Sequence, residues 1–266
     1  MVMIFTTSKR HGMTLHSMEE ALKLFRSNRV KEKCVCLLSG GMDSATLMYS
    51  LLEKYDVWPI TIVYGQKHVK ETTAARNLCE AVSKEMVQRW KYVDLSVLRN
   101  LLPSSLTGRG DIPEGHYMEE SMKTTVVPNR NMILLAVAGG YATGMTAKYL
   151  AYGPHQGDHE IYPDCRPDFV FSVTQTLRLG TGWNNDGVEL ITPFVHMTKA
   201  DIAHLGEKLK VPYKLTWSCY KGQERPCGVC GTCVERTEAF LKADMTDPAL
   251  TPEEWKKAVE YLNSVK

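Results

Sequence analysis

The hexapeptide Ser39-Gly40-Gly41-Met42-Asp43-Ser44 has the residue types of a phosphate-binding loop. It follows the apolar run of residues 34–38 and precedes a helical pattern over residues 45–53. Two adjacent glycines let the backbone approach an anion and turn its N–H groups inward, and the N-terminus of the next helix adds a partial positive charge. The pattern therefore predicts a nucleotide site. A glycine turn that only joins a strand to a helix is the alternative.

This phosphate loop (residues 39–44) lacks the lysine of the G-x-x-x-x-G-K-[ST] loop, whose ammonium group reaches the β- and γ-phosphates. Transfer of the γ-phosphoryl group therefore loses its main support, and cleavage between the α- and β-phosphates fits better. The S-G-G-x-D-S pattern resembles the pyrophosphate loop of the N-type ATP pyrophosphatases. That resemblance implies activation of a substrate by adenylation, with release of pyrophosphate.

Four cysteines near the C-terminus follow a C-x7-C-x2-C-x2-C pattern: Cys219, Cys227, Cys230 and Cys233. Four thiolates match a closed tetrahedral zinc site, which leaves no open position for catalysis. Gly228 and Gly231 allow the tight turns that such a knuckle needs. A redox C-x-x-C pair is the alternative, but it needs only two sulfur atoms. We therefore expect one structural Zn²⁺ per chain.

The overall composition gives no sign of a nucleic-acid or membrane partner. The 266 residues carry 32 basic and 30 acidic side chains, a formal net charge of +2, so there is no global basic footprint for direct nucleic-acid binding. No apolar run approaches the roughly 20 residues of a membrane span, and the N-terminus shows no secretory signal. We expect a cytoplasmic protein with reduced thiols.

Apolar runs rich in β-formers alternate with amphipathic segments along the chain. The predicted strands cover residues 35–38, 57–63, 89–94, 149–152 and 189–191, and the predicted helices cover residues 45–53, 71–85, 131–144 and 169–179. This βαβ rhythm predicts an α/β fold with a doubly wound, mainly parallel sheet. Ligands of such sheets bind at the carboxyl ends of the strands. The phosphate loop, residues 64–68 and residues 152–158 should therefore share one crevice.

We divide the chain into an N-terminal extension (residues 1–33), an ATP-binding α/β domain (residues 34–210) and a small zinc-binding helical region (residues 211–266). Residues 103–128 form a connection longer than the ~12–15 residues usual in compact domains, which predicts a lid over the active site or disorder. Thr251-Pro252-Glu253-Glu254 has the capping-box pattern of a helix start.

The two motifs and the sequence between them resemble the 7-cyano-7-deazaguanine synthase family of the queuosine pathway, over residues 33–243. The resemblance is carried by L-S-G-G-M-D-S (38–44), Y-G-Q-K-H with a following Glu (64–68 and 71), V-P-N-R-N (127–131), Y-P-D-C-R-P-D-F (162–169), S-C-Y (218–220) and C-G-x-C-G-x-C (227–233). It implies an adenine-nucleotide α-hydrolase-like fold and a homodimer.

The resemblance further implies conversion of 7-carboxy-7-deazaguanine and ammonia to the nitrile, through adenylated acid and amide intermediates, with ATP as co-substrate and Mg²⁺. Adenylation makes the carboxylate oxygen part of AMP, so that ammonia can displace it. A variant that stops at 7-amido-7-deazaguanine would share these motifs. A tRNA-thiolating pyrophosphate-loop enzyme and a non-catalytic nucleotide sensor are further alternatives.

The motifs and the resemblance together predict the site residues. ATP binding is predicted for Ser39, Gly40, Gly41, Met42, Asp43, Ser44 and Gln66, substrate binding for Asn129, Arg130, Tyr162, Asp164 and Arg166, and catalytic roles for Asp43, Arg130, Lys67 and Lys199. Arg130 could bind a carboxylate or a phosphate bidentately. An acidic side chain such as Asp164 suits the N–H donors of a guanine-like edge.

Several of these side chains have alternative interpretations. Asp43 could orient the loop or Mg²⁺, or it could cap the helix. Lys199 could bind phosphate or be an exposed lysine at a helix start. His68 is more often a structural residue in such a position. Cys165 could be a nucleophile, but a small buried side chain is the favoured interpretation.

Overall fold

The computed structural model describes residues 30–67, 70–108, 110–183 and 186–266. Five strands form one sheet in which each neighbouring pair is parallel, in the order β3-β2-β1-β4-β5. The strands are β1 (Lys33–Leu37), β2 (Asp56–Val63), β3 (Lys91–Asp94), β4 (Tyr149–Ala151) and β5 (Glu189–Ile191). The predicted parallel α/β sheet is confirmed.

Eight α-helices lie within the described residues. They are α1 (Met42–Leu52), α2 (Lys70–Val82), α3 (Lys84–Arg89), α4 (Arg130–Gly144), α5 (Pro167–Thr181), α6 (Lys199–Lys208), α7 (Gly231–Lys242) and α8 (Pro252–Ser264). Short 3₁₀ turns occupy Ser96–Asn100, Ser105–Thr107, Glu120–Thr125, Gln156–His159, Pro163–Cys165 and Tyr213–Leu215. None of these helices combines the length and apolar character needed to cross a membrane.

The side chains of β1 alternate between two separate cores, because successive strand residues point to opposite faces of a sheet. Cys34 and Cys36 pack on one face with α1, α2, α6 and α7. Val35 packs on the other face with α4 and α5. Helices therefore cover both faces, which makes the sheet doubly wound.

The strand order changes direction at β1. Strands β2 and β3 continue to one side of β1, whereas β4 and β5 lie on its other side. In doubly wound sheets, the crevice outside the carboxyl ends of the strands at this point is the usual ligand site. The phosphate loop follows β1 and residues 152–158 follow β4, so both segments lie at this crevice.

The prediction of one continuous helix over residues 71–85 was wrong, because Ser83 separates α2 from α3. Ser83 has an extended backbone (φ −173°, ψ 161°), and its hydroxyl accepts a hydrogen bond from the N–H of Met86. A serine at this position satisfies an amide that the helix leaves free, so it favours a new helix start. The next strand consequently begins at Lys91 rather than at residue 89.

Other local predictions were tested by the described residues. The capping box at the C-terminal helix is confirmed, since Thr251 and Glu254 exchange side-chain and backbone hydrogen bonds. In the segment of residues 103–128, Leu106, Met122 and Thr125 are buried, so disorder is wrong for its described part. Its role as a lid remains a prediction.

Residues Glu32–Lys266 form one compact unit. The predicted extension, residues 1–33, lies largely outside the described residues, which begin at residue 30. The division of the chain at residues 33 and 210 stays a prediction.

Replacement of Gly40 should destabilise the protein because helix α2 packs directly against the phosphate loop. Gly40 has a φ of +97°, and a Cβ atom there would lie 2.2 Å from the carbonyl oxygen of Glu71. We expect Gly40→Ala to cost about 1–3 kcal/mol or more, and a fall in melting temperature of roughly 2–4 °C per kcal/mol, measured by thermal denaturation.

The matched control is Gly140→Ala, at an exposed position inside α4 where a Cβ atom meets nothing within 4 Å. Alanine has the higher helix propensity by up to about 1 kcal/mol, so this variant should melt at the wild-type temperature or above. An unchanged melting temperature for Gly40→Ala would contradict the close packing of loop and helix.

Candidate active site

A cavity of about 250 Å³ lies at the carboxyl ends of the strands. Its walls come from the phosphate loop, strand β2, the segments after β2 and β4, the starts of α2 and α4, the segment of residues 103–128 and the cysteine region. The polar and aromatic lining residues are Ser39, Asp43, Ser44, Thr61, Tyr64, Gln66, Glu71, Thr72, Tyr117, Thr125, Arg130, Asn131, Tyr152, Asp158, Tyr162, Lys199, Trp217, Ser218, Tyr220, Thr232 and Glu235. A concave site with convergent polar groups is the usual form of a small-molecule site.

The phosphate loop presents backbone amides and hydroxyls together at the N-terminus of α1. The N–H of Gly40 donates to Ser44 Oγ (3.2 Å), the N–H of Gly41 donates to Ser39 Oγ (3.2 Å), and the two hydroxyl oxygens lie 3.0 Å apart. These donors share the positive end of the helix dipole. The arrangement suits an anion, as the sequence predicts.

Asp43 is not the N-cap of α1. The N-cap is Gly41, which makes no side-chain cap hydrogen bond, and Asp43 stands in the first turn with its carboxylate 3.3 Å from Lys199 Nζ. Burial would raise the pKa of Asp43, but the nearby Lys199 and His155 outweigh it and hold that pKa below its ordinary value. Of the two interpretations of this carboxylate, the capping one is therefore wrong.

Lys199 joins the phosphate loop to the cysteine region through a buried ion-pair cluster. Its Nζ lies 2.6 Å from Glu235 Oε2 and 3.3 Å from Asp43 Oδ2, and the Lys199 side chain is only 12% exposed. Burial would lower the pKa of Lys199, but the charges of Asp43 and Glu235 raise it well above its ordinary value. The interpretation of Lys199 as an exposed helix-start residue is thus wrong.

His155 completes this cluster on the side of β4. Its Nδ1 accepts a hydrogen bond from the N–H of Gly157, so Nε2 is the nitrogen that carries the proton in the neutral ring. Nε2 lies 3.5 Å from Asp158, 3.6 Å from Glu235 and 3.9 Å from Asp43. The cluster therefore contains three carboxylates, one ammonium group and one imidazole.

Arg130 lines the same cavity as the phosphate loop and lies in an aromatic environment. Its guanidinium carbon is 5.7 Å from the ring centre of Tyr64 and 6.0 Å from that of Tyr162, both within cation–π range. Burial would lower the pKa of Arg130, but Tyr64 and Tyr220 outweigh this and raise it. Arg130 therefore offers a permanent positive charge beside flat apolar rings.

Asp164 and Cys165 support this arginine from behind rather than lining the cavity. Asp164 Oδ2 accepts a hydrogen bond from the N–H of Asn131 (2.9 Å), in the first turn of α4. Cys165 Sγ lies 3.3 Å from both Asn131 Nδ2 and the hydroxyl of Tyr152. Burial raises the pKa of the Cys165 thiol, which agrees with a small buried side chain and not with a nucleophile.

The remaining predicted residues fall into two groups. Gln66 and Tyr162 line the cavity, whereas Lys67, Asn129 and Arg166 are exposed and do not. Lys67 donates to the carbonyl of Gly110, and Arg166 donates to the carbonyl of His159. Gly40 packs against helix α2, and Met42 is buried in the core. His68 lies outside the described residues.

Glu71 and Thr72, in the first turn of α2, add two polar groups to the cavity. Burial raises the pKa of Glu71 to about 7, with Arg130 opposing the rise and Cys219 adding to it. The buried hydroxyl of Thr72 has no hydrogen-bond partner within the described residues. The sequence pattern indicated Glu71 only as part of a motif, and no local signal indicated Thr72, His155 or Glu235.

The four cysteines of the C-terminal pattern come together as predicted. The Sγ atoms of Cys219, Cys227, Cys230 and Cys233 all lie within 4.8 Å of one another, and none of these residues forms a disulfide. The N–H groups of Cys227 and Cys230 also point at neighbouring sulfur atoms, at 3.4 and 3.3 Å. This donor set could hold one metal ion.

Residues next to the four cysteines in the sequence form a wall of the cavity, among them Ser218, Tyr220 and Thr232. Cys230 is the N-cap residue of α7, and one turn later Glu235 reaches Lys199 and His155. Thr232 Oγ1 donates to the carbonyl of Ser218 (2.8 Å), which fixes the segment that follows the predicted α/β domain. The geometry of the metal-ligand turns therefore decides where the Glu235 carboxylate lies.

Removal of the Lys199 charge should strongly destabilise the fold. Lys199→Met leaves Asp43 and Glu235 buried without their cation, and breaking a buried ion pair typically costs about 3–5 kcal/mol. We expect a loss of this size in the free energy of unfolding, measured by urea denaturation. Lys199→Met combined with Glu235→Gln should recover part of it.

The control is Arg76→Met, which removes the exposed pair between Arg76 and Glu80, whose side chains are 59% and 51% exposed. Exposed pairs contribute about 0–1 kcal/mol. If Lys199→Met costs no more than Arg76→Met, the buried cluster does not stabilise the site.

Comparison with known proteins agrees with this site. The model of the QueC family, described as queuosine biosynthesis protein QueC, matches residues 33–244. The chain is 50% identical over 236 residues to the 7-cyano-7-deazaguanine synthase of Archaeoglobus fulgidus, covering 88% of this chain and 96% of that protein. It is 52% identical over 218 residues to the protein of the same name from Methanoregula boonei, covering 81% and 97%.

A third relative, the 7-cyano-7-deazaguanine synthase of Caldicellulosiruptor bescii, is 48% identical over 218 residues, which cover 81% of this chain and 96% of that protein. Each of these alignments spans nearly the whole length of the relative. Identity at this level, together with the family match, shows common ancestry rather than a shared motif. The chain therefore belongs to the QueC family of queuosine biosynthesis proteins.

Proposed function

We propose that this chain is an ATP-dependent carbon–nitrogen ligase that converts 7-carboxy-7-deazaguanine and ammonia to 7-cyano-7-deazaguanine. The observation that carries the proposal is that the phosphate loop and Arg130 line one cavity. Adenylation requires a carboxylate held beside the α-phosphate of ATP. An anion-binding loop and a cation among aromatic rings in one cavity suit these two partners.

The proposed reaction uses the same site twice. In the first round the substrate carboxylate attacks the α-phosphate, pyrophosphate leaves, and ammonia then displaces AMP to give the amide. In the second round the amide oxygen is adenylated, and loss of AMP with two protons from nitrogen gives the nitrile. The sum is one acid, one ammonia and two ATP converted to one nitrile, two AMP and two pyrophosphate.

The roles that we propose follow from the cavity. The hydroxyls and amides of Ser39, Gly41 and Ser44 bind the pyrophosphate portion of ATP, and Gln66 contacts the nucleotide. Lys199 offsets phosphate charge, and Arg130 holds the substrate carboxylate. This chemistry depends on positioning and charge stabilisation, so it needs no protein nucleophile.

Asp43 is the residue that we propose holds Mg²⁺. Its Oδ1 atom is buried and has no hydrogen-bond partner within the described part of the chain. Hard divalent cations prefer carboxylate oxygen, so this atom fits the ion. A bound Mg²⁺ supplies charge neutralisation at the phosphates.

The other residues of the predicted site have a less direct place in the proposal. Asn129 is the N-cap of α4, and Asp164 accepts a hydrogen bond from the first turn of that helix, so both position Arg130. Tyr162 supplies a stacking surface. The phosphate role of Lys67 and the substrate role of Arg166 stay predictions, as do the homodimer and the cytoplasmic location.

The reaction is tested by incubating purified protein with 7-carboxy-7-deazaguanine, ATP, Mg²⁺ and ammonium, and measuring products by mass spectrometry. We expect the nitrile, with two AMP formed for each base converted. Omission of ammonium should abolish both the amide and the nitrile. Amide accumulating with one AMP would replace the proposal by the variant that stops at the amide, and unchanged acid without AMP would refute it.

We also propose that the four-cysteine cluster holds one structural Zn²⁺, because closed four-thiolate sites are typical of structural zinc. Elemental analysis should give about one zinc per chain. Cys230→Ser should lower the zinc content and the melting temperature, because three thiolates bind the ion less well.

Cys79→Ser is the matched control for the zinc site, since Cys79 is buried in α2 outside the cluster. It should retain the wild-type zinc content even if it is less stable. Wild-type protein without zinc, or equal zinc content in the two variants, would contradict the assignment.

A further inference from the structure

We infer that Glu71 is the residue that recognises the guanine-like edge of the substrate, by accepting hydrogen bonds from its ring N–H and its 2-amino group. This inference rests on the proposed function, since it names the specificity residue of the same cavity. The sequence indicated Asp164 for this task. Asp164 is not available for it, because its carboxylate caps the first turn of α4 outside the cavity.

Of the four carboxylates that line the cavity, three are already engaged. Asp43 and Glu235 contact Lys199, and Asp158 contacts His155. Of these four, Glu71 is the one that has no cation of the described residues within ion-pair distance. Its oxygen atoms are therefore the acceptors that remain for a ligand.

The neighbour of Glu71 indicates a ligand independently. The hydroxyl of Thr72 lines the same cavity, is buried, and has no hydrogen-bond partner within the described residues. Unsatisfied buried polar atoms are rare in native proteins, so each one needs an explanation, and a bound molecule that contacts the atom is one. Two adjacent residues of α2 thus present polar atoms that a bound molecule would satisfy.

The position of Glu71 is fixed by backbone packing. Helix α2 approaches the phosphate loop so closely that a Cβ atom on Gly40 would lie 2.2 Å from the Glu71 carbonyl oxygen. This packing fixes the point from which the Glu71 side chain enters the cavity. Burial raises the pKa of this carboxyl group to about 7, and the charge of Arg130 opposes the rise.

The chemistry of the two partners is complementary. A deazaguanine presents two adjacent N–H donors, and a carboxylate presents two acceptors at matching separation. A carboxyl group on the same base would meet Arg130, and the flat rings of Tyr64 and Tyr162 provide stacking surfaces. A base that lacks the 2-amino group leaves one buried acceptor unsatisfied, so the site should discriminate against it.

The test compares 7-carboxy-7-deazaguanine with 7-carboxy-7-deazahypoxanthine, which carries the same acid but no 2-amino group. For each compound, kcat/KM is measured by AMP release. We expect the wild type to prefer the guanine compound by about 100-fold, and Glu71→Gln to reduce that preference to less than about 10-fold. Glu80→Gln is the matched control on the exposed side of α2 and should leave both values unchanged.

The outcomes separate this inference from the proposed function. If Glu71→Gln lowers kcat/KM equally for both compounds and the preference persists, Glu71 acts on the reaction and not on the 2-amino group, and the inference is overturned. A wild-type preference below about threefold also overturns it. If the wild type releases no AMP, the proposed function fails, and calorimetric binding of the same two compounds to wild type and Glu71→Gln then decides the role of Glu71.

Discussion

The arrangement of the site depends on the two ion pairs that the buried ammonium group of Lys199 makes. This group lies between Asp43 of α1 and Glu235 of α7, while Lys199 itself begins α6. Removing three charges from water is costly, so such a cluster persists only when each charge has a close partner. The phosphate loop and the cysteine region are thereby held in a fixed relation to each other, although they are far apart in the sequence.

The cysteine cluster also helps to hold the phosphate loop and the cysteine region together, because it sets the position of Glu235. Cys230 and Cys233 set the start of α7, so the turns that bring four sulfur atoms together also set the direction of Glu235. Residues near these turns, Ser218 and Tyr220 among them, form part of the cavity wall. The turns that carry the four cysteines therefore also shape the cavity wall.

The cavity combines two chemically different sets of groups. The phosphate loop and Lys199 provide hydroxyls, backbone amides and a cation, which suit an anion. Arg130, Glu71 and several tyrosines also line the cavity, and they suit a flat base that carries both a carboxylate and N–H donors. The proposed adenylation needs both sets in one cavity, because the reacting oxygen must meet the α-phosphate.

The sequence by itself determined the features that arise from local patterns. Alternating apolar runs identified the parallel sheet, two glycines after an apolar run identified the phosphate loop, and cysteine spacing identified the metal-ligand cluster. The resemblance to the family had the same basis, since its motifs are continuous stretches. These patterns succeed because hydrogen bonding and side-chain periodicity act over a few residues.

Only the tertiary structure decided which charges meet. It directed Asp164 to the first turn of α4, and it brought Glu235 and His155 to Asp43. It left Glu71 without a cationic partner among the described residues. Local sequence cannot determine these outcomes, because the free energy of a buried charge depends on partners that folding brings from distant parts of the chain.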